Sequence, residues 1–279
     1  MTQHTERCKN CSQHLLLQQK FCHLCGQKTD VHRIDLHYFL HELPHSIFHV
    51  DGGILFTLRE LFTRPGHTIR EYLDGRRKPH FKPLMLVLVM GSFCALLQLL
   101  VNKHKNVEKS EQLIQSNLSK SEIAKYIDFK GLVAYFTEVF HWLSSHFAFT
   151  VLLMLPITAL AFFLGFRKYK LNYPEWVVIF LFLGGQSLAI YVFFIFLNFF
   201  VGDYTWLYFF LSWVIITLSL IQFFQKRGRK YIILRVIWSI FLSYLFTFFY
   251  VIFAIIAVAL IGILLYGYDN IVPVILQKL

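Results

Sequence analysis

The chain has 279 residues, of which 56% are hydrophobic, 18% aromatic and 15% charged, with a formal net charge of +11 and a mean hydropathy of +0.54. Soluble globular domains carry about 25% charged residues, so this composition belongs to a chain that takes lipid as part of its solvent. It excludes a disordered segment, a collagen-like repeat and a disulfide-rich secreted scaffold, and the unbroken apolar runs exclude a single soluble core.

Residues 1–30 hold two C-x₂-C pairs, Cys8/Cys11 and Cys22/Cys25, with ten residues between them. Two intervening residues let both sulfurs of a pair turn toward one cation. Two pairs then complete the tetrahedral S₄ site that structural zinc prefers. Gly26 follows the second pair, where a knuckle turn favours a positive φ, and Ser12 takes that place after the first. His14 and His23 are spare ligands that the site does not need. A redox dithiol, or two disulfides in an oxidising compartment, is the rival reading. A closed Cys₄ site has no open coordination position, so it points to structure and away from catalysis. The segment carries cysteine pairs where a signal peptide would have an apolar run.

Next comes a ladder of His37, His41, His45 and His49, preceded by His32 and followed by Asp51. Residues four apart share a helix face, so neighbouring imidazoles there, with Glu42 or Asp51, form a candidate second metal site. Pro44 opposes it by breaking a continuous helix at Leu43. The alternative is an amphipathic juxtamembrane helix whose histidines rest near lipid headgroups. Ile54, Leu58, Leu61 and Phe62 then make a helical apolar stripe ended by Pro65-Gly66, and a second short helix is predicted over about His67–Leu73. The following loop is basic. Arg76, Arg77, Lys78 and Lys82, with Arg64 and Arg70 before them, are candidate lipid- or phosphate-binding residues; the plainer reading is a topology anchor.

Five charge-free segments have the length of a membrane crossing or come close to it: 84–101, 147–166, 176–201, 204–224 and 236–266. The last is long enough that it must tilt or run on into the interface. Residues 129–146 are apolar but interrupted by Lys130, Glu138, His141 and His146, which reads as an amphipathic helix on the membrane surface. Lys and Arg are retained on the cytoplasmic side. Five spans with the N-terminus inside place 20 of the 27 Lys and Arg there. That distribution also accounts for the basic balance, so nucleic acid is not an expected partner. A reducing cytoplasm favours free thiols and hence zinc. Cys94, in the first span, reads as a small packing residue. Within the spans, Gly184 and Gly185 suit close helix packing and Gln186 a bond across a helix interface. Pro156 is expected to kink the second span. A transporter would draw on Gln186, Ser187 and Asn198 as a candidate solute site.

The order of motifs is similar to that of the bacterial family called domain of unknown function 3667. It runs through Cys8-x₂-Cys11, Phe21-Cys22-x₂-Cys25-Gly26-Gln27, His41-Glu42, His49-x-Asp51, Thr57, Leu61-Phe62-Thr63-Arg64-Pro65-Gly66, Ile69-Arg70-Glu71-Tyr72, Gly75-x-Arg77 and His80-Phe81-x-Pro83. The likeness is dense over residues 8–90. Leu171-Asn172-Tyr173-Pro174-Glu175 is similar to a short family segment before a span, although Pro174 and Trp176 depart from its pattern. A weaker, fold-level likeness is to Yip1-like five-span proteins. The resemblance implies a bacterial inner-membrane protein and brings no established activity.

The sequence therefore predicts an all-α integral membrane protein with five transmembrane helices and a small N-terminal zinc ribbon (1–30), joined by a cytoplasmic amphipathic and basic juxtamembrane segment (31–83) to a membrane domain (84–279). Its expected role is that of a non-enzymatic adaptor or scaffold, with structural Zn as cofactor. Its expected partners are the lipid bilayer, a cytoplasmic protein and a second copy of the chain. A transporter or channel for a neutral or lipid-like solute is the second reading, and a membrane-bound His-metal enzyme using the ladder the third.

Overall fold

A computed structural model describes residues 7–16, 19–35, 53–116, 147–202, 204–225 and 228–266, with 102–116, 147–149 and 255–266 described by backbone alone. The ladder residues His37, His41, His45, His49 and Asp51, and the segment 129–146, lie outside the described residues. Seven helices appear among those described: α1 (Ile54–Thr63), α2 (Pro65–Leu73), α3 (Pro83–Ser116), α4 (Phe147–Gly165), α5 (Tyr173–Phe200), α6 (Thr205–Phe223) and α7 (Arg229–Tyr266). No strand occurs among them; the cysteine-bearing head has only the isolated bridges Arg7–His14 and Phe21–Lys28.

Four stretches are long and apolar enough to cross a membrane: Pro83–Val101, Tyr173–Phe200, Thr205–Phe223 and Arg229–Ala254. They mark the chain as a multi-pass membrane protein. The predicted second span forms α4, whose fully described part, Thr150–Gly165, is a shorter apolar helix. α5 is the central helix. In its most apolar stretch 67% of residues are buried, against 17% in α7. The large apolar side chains that α6 and α7 leave exposed, among them Phe210, Trp238, Phe248 and Phe253, suit contact with lipid tails.

One end of the bundle is tied by aromatic stacking and by hydrogen bonds. Phe166 at the end of α4 stacks on Phe224 just after α6, with ring centroids 5.3 Å apart, and both rings meet Trp176 in the first turn of α5. α5 begins with a capping box in which Asn172 accepts from the Glu175 backbone N–H and Glu175 accepts from the Asn172 N–H, with Pro174 in the first turn. Arg235 of α7 donates to the Gly165 carbonyl at the end of α4. The basic residues at the ends of α4 and α7 therefore gather at this end of the bundle.

The helices expected as a juxtamembrane segment pack into that same end. In α1 the buried positions are Thr57 and Leu61, with Ile54 and Leu58 partly buried against the core. Phe62, assigned to the stripe from the sequence, is 52% exposed. Pro65-Gly66 does end α1, but Pro65 also opens α2, since its fixed φ suits a first helical turn. Arg70 donates to the Gln222 carbonyl at 3.2 Å, and the Gly66 N–H to the Gln222 side chain at 3.1 Å. Farther in, Gln186 Nε2 donates to the Leu61 carbonyl at 2.9 Å. Gln186 lies thirteen residues beyond the start of α5 at Tyr173, roughly 20 Å along a helix that rises about 1.5 Å per residue. The tip of α1 thus reaches the middle of α5, and an intramembrane glutamine satisfies a carbonyl left over at the helix end.

Candidate metal centre and the seam beneath it

The two cysteine pairs fold as copies of one turn. Cys8 N–H donates to the Gln13 carbonyl and Ser12 N–H to the Cys8 carbonyl. Fourteen residues on, Cys22 N–H bonds Gln27 and Gly26 N–H bonds Cys22, at the same 2.8 and 2.9 Å. Ser12 has φ 60° and Gly26 φ 70°, so both knuckles turn through the left-handed region. The short repeat C-x₂-C-[Ser/Gly]-Gln was visible in the sequence, as an offset of fourteen, and signals this duplicated turn.

The four sulfurs lie within 4.8 Å of one another. Sγ of Cys8 is 3.6 Å from that of Cys25, and Sγ of Cys11 is 3.6 Å from that of Cys22. A tetrahedral site with metal–sulfur bonds of about 2.3 Å has an edge of about 3.8 Å, whereas a disulfide needs about 2.05 Å. The donor set therefore fits one tetrahedral metal ion. Burial works to raise the Cys25 thiol, but hydrogen bonding to the Asn10 side chain, the Gln27 backbone and the neighbouring cysteines outweighs it and draws its pKa down, while Cys11 of the same quartet is pushed up. Thiolate is the form that binds metal, so loading the site releases protons.

Hydrogen bonds and an ion pair fasten the head to the bundle. Gln27, 4% exposed, accepts from the backbone N–H groups of Arg77 and Lys78 at 3.2 and 2.8 Å. Arg76 donates to Asn10 of the first knuckle and to Glu71 of α2, at 3.2 and 2.9 Å. Arg33 binds both oxygens of Glu175, at 2.6 and 2.7 Å, while Asn172 donates to the Ile34 carbonyl. The Glu175 side chain is 7% exposed and that of Arg33 58%. Removing the guanidinium leaves a nearly buried carboxylate with one partner fewer. We expect Arg33→Ala to cost about 1–3 kcal/mol, at the low end for a buried charge because Arg33 itself is half solvated. Faster hydrogen exchange at Ile34 and in the first turn of α5, with α6 unchanged, checks it.

The six basic candidates divide into two groups. Arg64 is held by Glu60 and Glu71 at 2.5 and 2.8 Å, Arg76 by Glu71 and Asn10, and Arg70 by the end of α6. Arg77 donates to the His32 carbonyl at 2.8 Å and lies over the Tyr72 ring. Arg77, Lys78 and Lys82 line a cavity of about 340 Å³ between the head and the start of α3. His80 lines it too. Packed between Phe56 and Tyr72 and 6% exposed, it is pushed down to about 4, chiefly by burial. Sequence reasoning passed over His80 as a site residue, because a lone histidine beside a span carries no spacing signal.

These helices and the basic loop have a counterpart among known families. Residues 51–94 match the family described as Protein of unknown function (DUF3667). The DUF3667 segment thus takes in α1, α2, the basic loop and the first turns of α3, and bears out the likeness read from the motifs there. It begins after the cysteines. No curated protein and no solved structure matches the chain.

The three intramembrane candidates occupy separate places. Gln186 turns toward α1 and Ser187 toward α6, where it meets Tyr208 and Ser212 at 2.8 and 3.0 Å. Asn198 accepts from the Tyr204 N–H and donates to Thr205, closing the turn between α5 and α6. Of the two glycines, a Cβ on Gly185 would meet Leu86 at 2.6 Å, whereas one on Gly184 would find only ordinary contacts.

Proposed function

We propose that this chain is a non-enzymatic adaptor of the bacterial inner membrane, with five spans, its N-terminus in the cytoplasm, and a structural zinc knuckle that presents a surface to a cytoplasmic protein or anionic lipid. The observation that carries this reading is the closed sulfur quartet docked on the basic end of the bundle, with Leu16, Phe21 and Leu24 exposed on the head. A quartet whose four positions are all protein sulfur holds shape and leaves no place for substrate. α4 supports the five-span count. Its 19 residues extend about 28 Å at 1.5 Å per residue, close to a hydrocarbon core of about 30 Å. Alternating crossings bring the end of α4, the start of α5, the end of α6 and the start of α7 to one side, as the bonds at that end require. The positive-inside rule makes that side cytoplasmic.

A crosslinked pull-down of the full chain tests the adaptor role. We expect a cytoplasmic protein that is retained by the native chain and lost both from Cys22→Ser/Cys25→Ser and from Leu24→Asp, the latter with its metal intact. An impermeant thiol label applied to intact cells is expected to spare the head. Labelling from outside, or a partner set indifferent to both variants, would overturn the reading.

A further inference from the structure

The cavity under the head is built as an anion site. From the head come Lys28 and His32, and from the membrane side Arg77, Lys78, His80 and Lys82. Among the described residues of its wall one is acidic, Asp30, and it pairs with His32 at 2.9 Å. Lys28 and Lys78 are exposed on the wall, the Lys78 side chain lying against Gly26 of the head, whereas His80 is buried. Among the described residues neither ring nitrogen of His80 has a hydrogen-bond partner. A buried imidazole without partners is costly to maintain, and a bound water or ion is one of the explanations such a group calls for.

We infer that the seam cavity binds a phosphate monoester, with His80 hydrogen-bonded to a phosphate oxygen and the exposed Lys28 and Lys78 ammonium groups pairing with its charge. A monoester carries a charge of about −1.5 to −2 at neutral pH and three acceptor oxygens, which matches a wall whose described residues include four Lys or Arg against one paired Asp. A volume of about 340 Å³ is at the lower end of small-molecule sites, roughly 300–1,000 Å³, enough for a phosphate with a small substituent. The phosphate arrives on a lipid headgroup or on a soluble molecule; the chemistry at the wall is the same. This deepens the lipid-binding part of the proposal above, and rests on it only for the side of the membrane from which the ligand comes.

The test uses the full-length, metal-loaded protein. Inorganic phosphate is titrated in detergent at constant ionic strength, with the ¹⁵N resonances of the His80 ring as readout. In a second arm the protein sits in phosphatidylcholine nanodiscs with and without phosphatidic acid. We expect saturable shifts at His80, and affinity weakened about tenfold or more in Lys28→Gln/Lys78→Gln, since a hydrogen bond to a charged group is worth about that factor. Both lysines are exposed, so this variant folds even if His80→Phe does not. Phosphatidic acid that shifts His80 and competes with phosphate identifies a lipid source, and phosphate that binds without such competition a soluble one. No saturable response to either probe, or equal affinity in the lysine variant, overturns the site. Thiol labelling of the head from outside would sink the cytoplasmic adaptor but leave phosphate binding standing, so the two failures are distinct.

Discussion

Cys22→Ser/Cys25→Ser is expected to reduce the bound metal from one ion per chain to none and to unfold the head, while the helical bundle keeps its stability. The head has almost no core of its own. Among the described residues its buried apolar groups are Cys8, Cys22 and Ile34, and the last belongs to the latch against α5. Folding of so short a segment has to draw on metal binding, worth about 10–16 kcal/mol for a structural zinc site. Serine keeps the size of the side chain and removes two of the four sulfurs, so a closed tetrahedron cannot form. Once the second knuckle opens, Gln27 no longer presents its oxygen to Arg77 and Lys78, and the first knuckle is left with the bond from Arg76 to Asn10 and the packing of Lys9 against Gly75. Limited proteolysis should then cut within residues 7–28 long before it touches α3 or α5. Acid acts in the same direction: protons compete for the sulfurs, so occupancy falls as pH drops and returns as it rises. Retained metal, or a head as resistant to protease as the native one, would refute the assignment.

The parts of this protein that were legible in the sequence are those whose signal is local. Cys8, Cys11, Cys22 and Cys25 announce their meeting by spacing alone, and the membrane helices announce themselves by length without charge. The placement of α1 and α2 was not legible. Their composition is amphipathic, as for helices lying on a surface, and hydropathy cannot tell a polar face turned to water from one turned to another helix. Here Thr57 caps the Phe81 N–H at 2.7 Å and is fully buried, while Glu60, Arg64 and Glu71 satisfy one another. The latch between Arg33 and Glu175 joins residues 142 apart, and no periodicity reports a pairing at that distance. Glu175 stands one residue before the predicted span 176–201, and it is half of a capping box and the acceptor of the head. The histidine ladder, the most conspicuous sequence pattern, lies outside the described residues, and its metal content is a matter for the same metal analysis applied to the cysteines.

Gly66→Ala is expected to destabilise the bundle by about 3 kcal/mol, whereas Gly184→Ala should leave it within about 0.5 kcal/mol of native or slightly more stable. Both glycines lie in helices, where alanine is intrinsically favoured by up to about 1 kcal/mol, so propensity alone predicts a gain at both. Packing decides otherwise at Gly66. A Cβ there would lie 2.4 Å from the Phe223 backbone nitrogen and 2.4 Å from the Ser219 carbonyl oxygen. Those are backbone atoms of α6 and cannot rotate aside, so the first turn of α2 has to lift. Lifting it strains the bond from the Gly66 N–H to Gln222 and the bond from Arg70 to the Gln222 carbonyl. Overpacking costs typically 1–3 kcal/mol, and a clash with two backbone atoms belongs at the top of that range. At Gly184 the new methyl would meet Leu155 Cδ1 at 3.5 Å and Val87 Cγ2 at 3.8 Å, which is ordinary contact. Thermal or denaturant unfolding in detergent, followed by helical circular dichroism, measures both variants on one scale. Equal effects at the two positions would mean that α2 does not seat against α6 as described, and the depth assigned to α1 would fall with it.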